Sequence, residues 1–201
     1  KDWLSHGGKM AYTINFEKFR EGRKKGVIGL KKYQKTRKNN PKIIPKIDFE
    51  LSKDICEFIG AFIGDGMFNL YRNKVYHIEF SGDSRKDLDY YQEGIIPIIQ
   101  SVIPNLKPHI YKVKDRNCIR ILFFSKNLFY FLKDGFGFIP GKKTYTVKIP
   151  EKIMNSKDEF IYSTIRGIFD TDGCVYIDKR EGYKRPYPRI VLQIASEPLF
   201  M

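Results

Sequence analysis

The sequence predicts an α+β fold made of two pseudo-symmetric copies of one helix-and-hairpin unit. The second copy is incomplete, and a basic N-terminal extension precedes both. Three observations carry that prediction. The nonamers FIGAFIGDG (residues 58–66) and IRGIFDTDG (residues 165–173) are both apolar helical stretches that run into Asp-Gly. Each is followed by apolar residues alternating with polar ones around a turn, the period-2 pattern of a β-hairpin. Small residues recur in register as well: Cys56, Gly60 and Gly64 lie four apart, and Ser163, Gly167 and Thr171 follow them at a constant offset of 107.

The elements follow in order. Residues 1–47 form the basic extension and end in the proline-punctuated linker NNPKIIPKI. Residues 48–140 form the first repeat, 141–155 a linker, and 156–201 the second repeat. Leu51, Ile55, Ile59 and Phe62 recur at steps of three and four, which predicts one buried helix face. Ser52 is placed to cap that helix and Asp54 to sit in its positive first turn. Phe68, Leu70, Val75, Ile78 and Phe80 predict a hairpin turning at Asn73-Lys74. A helix over 84–102, a second hairpin over 108–114 and 118–124, and a short helix in KNLFYFLKDGFGF complete the unit.

The second repeat starts from Ser156 and Glu159, which read as a capping box ahead of Phe160, Ile161, Ile165 and Ile168. VYIDKREGYKRPYPRIVLQI then reads as two strands around a polar turn, before the sequence stops at Met201. The first repeat is therefore αββαββ with a closing helix. Against it the second is short by about 50 residues, an expectation of a fragment.

Glycine inside a helix costs about 1 kcal/mol relative to alanine. Carrying that cost twice, in register, predicts that the two helices pack backbone to backbone through Gly60, Gly64, Gly167 and Thr171. Asp65 and Asp172 would then emerge side by side. Two adjacent carboxylates repel unless a proton or a cation offsets them. Hard oxygen ligands in small number suit Mg²⁺, with water and a substrate phosphate completing the shell. A single Asp-Gly after a helix is ordinarily a cap and turn. The repetition, on a basic chain, is what points to chemistry.

The charge is uneven. Residues 1–46 hold 14 Lys and Arg against Asp2, Glu17 and Glu21, a local net of +11 out of +14. Such a block suits a polyanion, nucleic acid first and an anionic membrane surface second. Cys56, Cys118 and Cys174 are odd in number and show no CxxC spacing, and His6, His77 and His109 are scattered, so a disulfide framework or zinc site is not expected. No apolar run reaches the 18 residues or so of a membrane span, and no secretory signal is recognisable. A cytoplasmic or nucleoid-associated protein is the expectation.

The paired nonamers, with the lead-in VKIPEKIMNSKDEF, resemble the two motifs of the LAGLIDADG (dodecapeptide, DOD-type) homing endonuclease family. The resemblance covers residues 50–197. It implies a monomer whose two sheets form a saddle over a long double-stranded DNA site. It also implies Mg²⁺-dependent cleavage of both strands, in the setting of intron homing or another mobile element. It carries over residue by residue: Asp65 and Asp172 as catalytic metal ligands, with Gly64 and Thr171 adding backbone carbonyls. ILFFSKNLFYFL matches the family's lysine at the end of the fourth strand and implies Lys126 as a catalytic cation. Ser81 or Gln193 would complete the site. Ile63 stands in the first motif where Asp170 stands in the second, so Asp170 is not an expected ligand.

DNA contacts would come from strand residues alternating with the core: Asn69, Tyr71, His77 and Glu79, with Arg72 and Lys74 at the turn. Lys112, Lys114, Arg120, Arg180, Arg189 and Gln193 complete the candidate set. Two alternatives share the scaffold: a maturase binding intron RNA, and a non-catalytic DNA-binding protein. The retained carboxylates favour the endonuclease.

Overall fold

The computed structural model describes residues 49–179 and 185–199, together with Glu21, Lys25 and Ile28. The chain divides into two compact units, Lys1–Ile44 and Pro45–Met201, and every element below belongs to the second. The rest of the basic extension and Arg180 lie outside the described residues.

Helix α1 (Lys53–Gly64) opens the first repeat, and the Ile55 N–H donates to the Ser52 hydroxyl at 3.2 Å, the expected cap. Strands β1 (Gly66–Tyr71) and β2 (Val75–Asp83) form the expected hairpin, with Gly66 opposite Phe80 and Tyr71 opposite Val75. Its turn needs left-handed backbone at Arg72 and Asn73 (φ 50° and 55°), and asparagine tolerates that conformation well. A π-helical turn, Tyr90–Ile95, leads into α2 (Ile96–Val102). This helix starts later than residue 84 because the Asp87 carboxylate accepts from the Asp83 N–H at 2.5 Å and holds the chain in a turn. Strands β3 (His109–Lys112) and β4 (Cys118–Phe124) follow, then α3 (Lys126–Tyr130), extended by a π-helical turn to Gly135. The sheet is antiparallel in the order β1-β2-β4-β3.

Its inner face carries Phe68, Ile78, Phe80, Ile119, Ile121 and Phe123, all buried. They pack in one core with α1, the π-helical turn, α2 and α3 through Phe58, Phe62, Ile95, Ile99 and Leu128. Aromatic edges dominate: Phe62 meets both Phe68 and Phe80 edge-on at centroid distances of 5.6 and 6.0 Å.

After a short helix, α4 (Glu151–Met154), comes α5 (Asp158–Asp172), the second motif helix. The expected capping box does not form. Ser156 instead donates its hydroxyl to the Ile153 carbonyl at 2.5 Å, because α4 ends directly before it and the same carbonyl already holds the Ser156 N–H at 2.9 Å. Strands β5 (Gly173–Asp178) and β6 (Tyr187–Leu192) form a two-stranded antiparallel sheet with Val175 opposite Ile190. Val175 matches Phe68 in the first repeat, yet it is 60% exposed where Phe68 is 2% exposed. Among the described residues, no helical layer covers this second apolar face.

The α1 and α5 helices pack in parallel. Lys53 at the start of α1 pairs with Glu159 at the start of α5 at 3.2 Å. A methyl added to Gly60 would overlap the Thr164 carbonyl and stand 2.9 Å from Gly167 Cα. A methyl on Gly167 would overlap the Glu57 carbonyl, and one on Gly64 the Thr171 hydroxyl. Gly60, Gly64 and Gly167 therefore set the interhelix distance. Thr164 is fully buried, whereas Ser163, one residue earlier on the predicted stripe, turns its hydroxyl back to Glu159.

Candidate metal and nucleic-acid site at the paired helix ends

Because α1 and α5 are parallel and in register, their C-terminal ends finish together. Asp65 follows the last residue of α1, and Asp172 is the last residue of α5. A Cβ on Gly64 would stand 3.2 Å from Asp172 Oδ2, so that carboxylate lies against the end of α1. The Asp65 carboxylate accepts from the Tyr91 hydroxyl at 2.7 Å. Burial pushes Asp65 up to about 6; the Tyr91 donor opposes the rise, while the charges of Asp172 and Asp87 add to it. Asp172 is raised by burial and held down by Lys143.

Lys143 was not among the residues singled out from the sequence. Its ammonium donates to the carbonyls of Ile63 and Gly64, the latter at 2.7 Å. Those carbonyls are acceptors left open at a helix C-terminus, where the peptide dipoles favour a cation. Burial pulls Lys143 down to about 8, against the opposing pull of Asp172 and Asp65. The linker places it there. Gly141 adopts φ 109° and donates its N–H to Phe68 O at 3.0 Å, and the Lys143 carbonyl accepts from the Val147 N–H. A Gly-Lys-Lys turn has no periodicity to betray it, and its partners lie some 80 residues away in sequence.

A cavity of about 590 Å³ opens at this end, lined by Gly64, Asn69, Lys143, Asp172 and Gln193, among others. The buried Ser196 hydroxyl donates to the Val147 carbonyl at 2.6 Å and ties the segment after β6 to the linker. Among the described residues, no three His, Cys, Asp or Glu side chains group around one point. The candidate cation site is thus two carboxylates plus helix-end carbonyls. The Gly64 carbonyl, expected as a metal ligand, is taken by the Lys143 ammonium, which stands there as a fixed positive charge beside the two carboxylates.

Of the predicted residues, Asp65, Asp172, Gly64 and Thr171 come together at the helix ends, with Asn69 and Gln193 on the cavity wall. The Thr171 hydroxyl donates within α5, to the Gly167 and Ile168 carbonyls. Lys126 is not brought there. Ser125 donates to the Tyr76 carbonyl, four positions along β2 from Phe80, the partner of Gly66. That separation is about 13 Å of strand. Lys126 instead approaches the Tyr130 ring, 5.7 Å from its centroid. Asp170 pairs with Arg166 at 3.5 Å.

On the outer sheet face, Tyr71 and Arg120 are exposed, as are Arg72, Lys74 and Lys114 in the turns, whereas Lys112 stands opposite the inner-face residue Ile119 and so lies on the helix side of the sheet, not the face expected for it. His77 and Glu79 alternate outward as expected but are buried, 7% and 6% exposed, under neighbouring side chains. Ser81 donates to Glu79 at 3.3 Å. Arg189 pairs at 2.6 Å with Asp178, a buried carboxylate of the second sheet.

No protein-family model and no curated protein matches this chain. Solved structures do. The homing endonuclease I-DmoI in complex with DNA and Ca is similar at 18% identity and a TM-score of 0.44, covering 61% of this chain and 58% of that one. I-WcaI bound to its DNA recognition sequence is similar at 21% identity and a TM-score of 0.38, covering 68% and 58%. I-SmaMI bound to an uncleaved DNA target with calcium ions stands at 15% and 0.38, covering 72% and 67%. This chain thus spans somewhat under two thirds of the I-DmoI chain. I-DmoI and I-WcaI are homing endonucleases.

Proposed function

We propose that this chain belongs to a LAGLIDADG-type, site-specific DNA endonuclease that hydrolyses phosphodiester bonds with a divalent metal, Mg²⁺ by preference. The observation that carries the reading is the glycine-packed pair of parallel helices ending together in Asp65 and Asp172, beside helix-end carbonyls that already hold a cation. Two carboxylates and few other protein ligands suit an ion that keeps water and takes a substrate phosphate. When bound, the metal supplies Lewis-acid stabilisation of phosphate charge and a lowered pKa for attacking water.

The chain's own residues supply the rest. Asp65 and Asp172 hold the metal, and Tyr91 orients Asp65. The Lys143 ammonium is the cation positioned to stabilise the charge that builds on the phosphate, the role that the family resemblance implied for Lys126. Gly60 and Gly167 bring the two carboxylates close enough to act on neighbouring phosphates. The outer face of the first sheet supplies base contacts and the basic extension phosphate contacts.

The reading is tested by selecting a binding duplex from a random library and incubating it with Mg²⁺. Mg²⁺-dependent double-strand cleavage supports it. Binding without cleavage under any divalent metal leaves only a DNA-binding protein. Preference for folded intron RNA over the duplex would make the chain a maturase.

A further inference from the structure

Glu79 is a carboxylate on the solvent side of an open sheet, yet it is only 6% exposed. It alternates with the core residues Ile78 and Phe80, so it points away from the helices. Three groups converge on it. Arg120 Nε lies 3.2 Å from Oε1, His77 Nε2 lies 3.3 Å from Oε2, and Ser81 donates its hydroxyl at 3.3 Å. Aromatic rings wall the cluster: Tyr71 and Phe124 stand 5.5 and 5.6 Å from His77, and His109 packs on Phe124. His77 is buried and gives one ring nitrogen to Glu79, so it serves as a prop beneath the surface.

Arg120 is the exposed member, with 46% of its side chain accessible. Its head is fixed from below by Glu79, and Tyr111 stands directly opposite it on the neighbouring strand β3. Stability alone does not account for this arrangement. Exposed ion pairs contribute little, and a buried carboxylate is often replaceable by apolar residues at no loss. A buried acid gripping Nε does fix the plane and direction of a guanidinium. Held this way, the fork presents its remaining N–H donors outward in one orientation.

We infer that Arg120 reads a guanine in the major groove, donating to O6 and N7, and that Glu79 is the positioning residue that fixes its guanidinium. Guanine is the base whose major-groove edge offers two adjacent acceptors, whereas adenine sets a donor beside N7. The assignment rests on the DNA reading above and adds to it. It names one base and reassigns Glu79 and His77 from base contacts to supports.

The test is affinity selection of randomised duplexes by the full chain without divalent metal, for wild type, Arg120→Ala, Arg120→Lys and Glu79→Gln. Arg120→Ala leaves the buried Glu79 without its cation, so each Arg120 variant is first checked for folding by circular dichroism, and Arg120→Lys keeps the charge while removing the fork. The expected result is a guanine in the wild-type consensus whose preference falls about tenfold or more in Arg120→Ala. Glu79→Gln, checked for folding by circular dichroism, retains affinity for arbitrary duplex but loses most of that preference. An Arg120→Ala consensus identical to wild type overturns the assignment. So does a uniform affinity loss with a shallower salt slope, which would mark Arg120 as a phosphate contact. A wild-type protein that binds duplex but enriches no sequence overturns guanine reading while sparing non-specific DNA binding. One that binds no duplex at all overturns the DNA reading with it.

Discussion

The Tyr91 hydroxyl donates to the Asp65 carboxylate at 2.7 Å, and Tyr91 is fully buried. This bond opposes the burial that pushes Asp65 up to about 6. Tyr91→Phe removes the donor and keeps the ring, so Asp65 should rise further. A hydrogen bond to a charged group is worth enough to move a pKa by about one unit. The acidic limb of the Mg²⁺-dependent rate profile should shift to higher pH by about that much, read from cleavage rates across pH 5 to 9 or so. An unmoved limb would mean that Tyr91 only fills space.

Asp65 also predicts a pH-dependent stability. Its folded pKa of about 6 stands above the ordinary 3.8. The stabilising contribution is full below the ordinary value and is lost as pH rises through the folded one. At neutral pH the ionised carboxylate therefore costs stability. Allowing for its partial solvent access, that cost is on the order of 1–2 kcal/mol. Asp65→Asn should raise the metal-free melting temperature at pH 7.5 or so and leave it nearly unchanged near pH 4. Equal shifts at both pH values would contradict the raised pKa.

The helix pair should not tolerate a methyl group. Gly60→Ala drives a Cβ into the Thr164 carbonyl and to within 2.9 Å of Gly167 Cα, both backbone atoms that cannot swing away. Overpacking of that kind costs about 3 kcal/mol. Gly94→Ala is the matched control, since its nearest foreign atom lies 3.8 Å away. Chemical denaturation of both variants checks this, and a Gly60→Ala midpoint equal to that of Gly94→Ala would refute the close contact.

Lys143 and Lys126 separate cleanly by experiment. Lys143 sits on the α1 carbonyls beside both carboxylates, and Lys126 lies at the other end of β2. Lys143→Met should lower cleavage about 100-fold or more while duplex affinity holds within a few-fold, the usual cost of losing one transition-state charge partner. Lys126→Met should leave the rate within a few-fold of wild type. The reverse ranking would return the catalytic cation to Lys126.

Much of this arrangement is legible in the sequence because it repeats. Helix periodicity marks α1 and α5, alternation marks the hairpins, and glycine and threonine at a constant offset mark the contact between helices. The rest depends on partners that no local pattern encodes. Lys143 reaches its carbonyls from a loop, and Tyr91 reaches Asp65 across 26 positions. Alternation correctly turns His77 and Glu79 outward but says nothing of the Tyr71, Phe124 and Arg120 side chains that cover them. Ser156 has the right spacing for a capping box, yet the nearer Ile153 carbonyl takes its hydroxyl. Lys126 fits a linear pattern, and strand register sets it apart from the helix ends.

The central claim is that Asp65 and Asp172 together form one divalent-metal centre for DNA cleavage. The direct measurement is cleavage of a selected duplex with Mg²⁺ by wild type, Asp65→Asn and Asp172→Asn, with binding followed in parallel. All three proteins should bind, only wild type should cut both strands, and EDTA should stop that cleavage. Cleavage by either asparagine variant at the wild-type rate, or wild-type cleavage that survives EDTA, would contradict the claim.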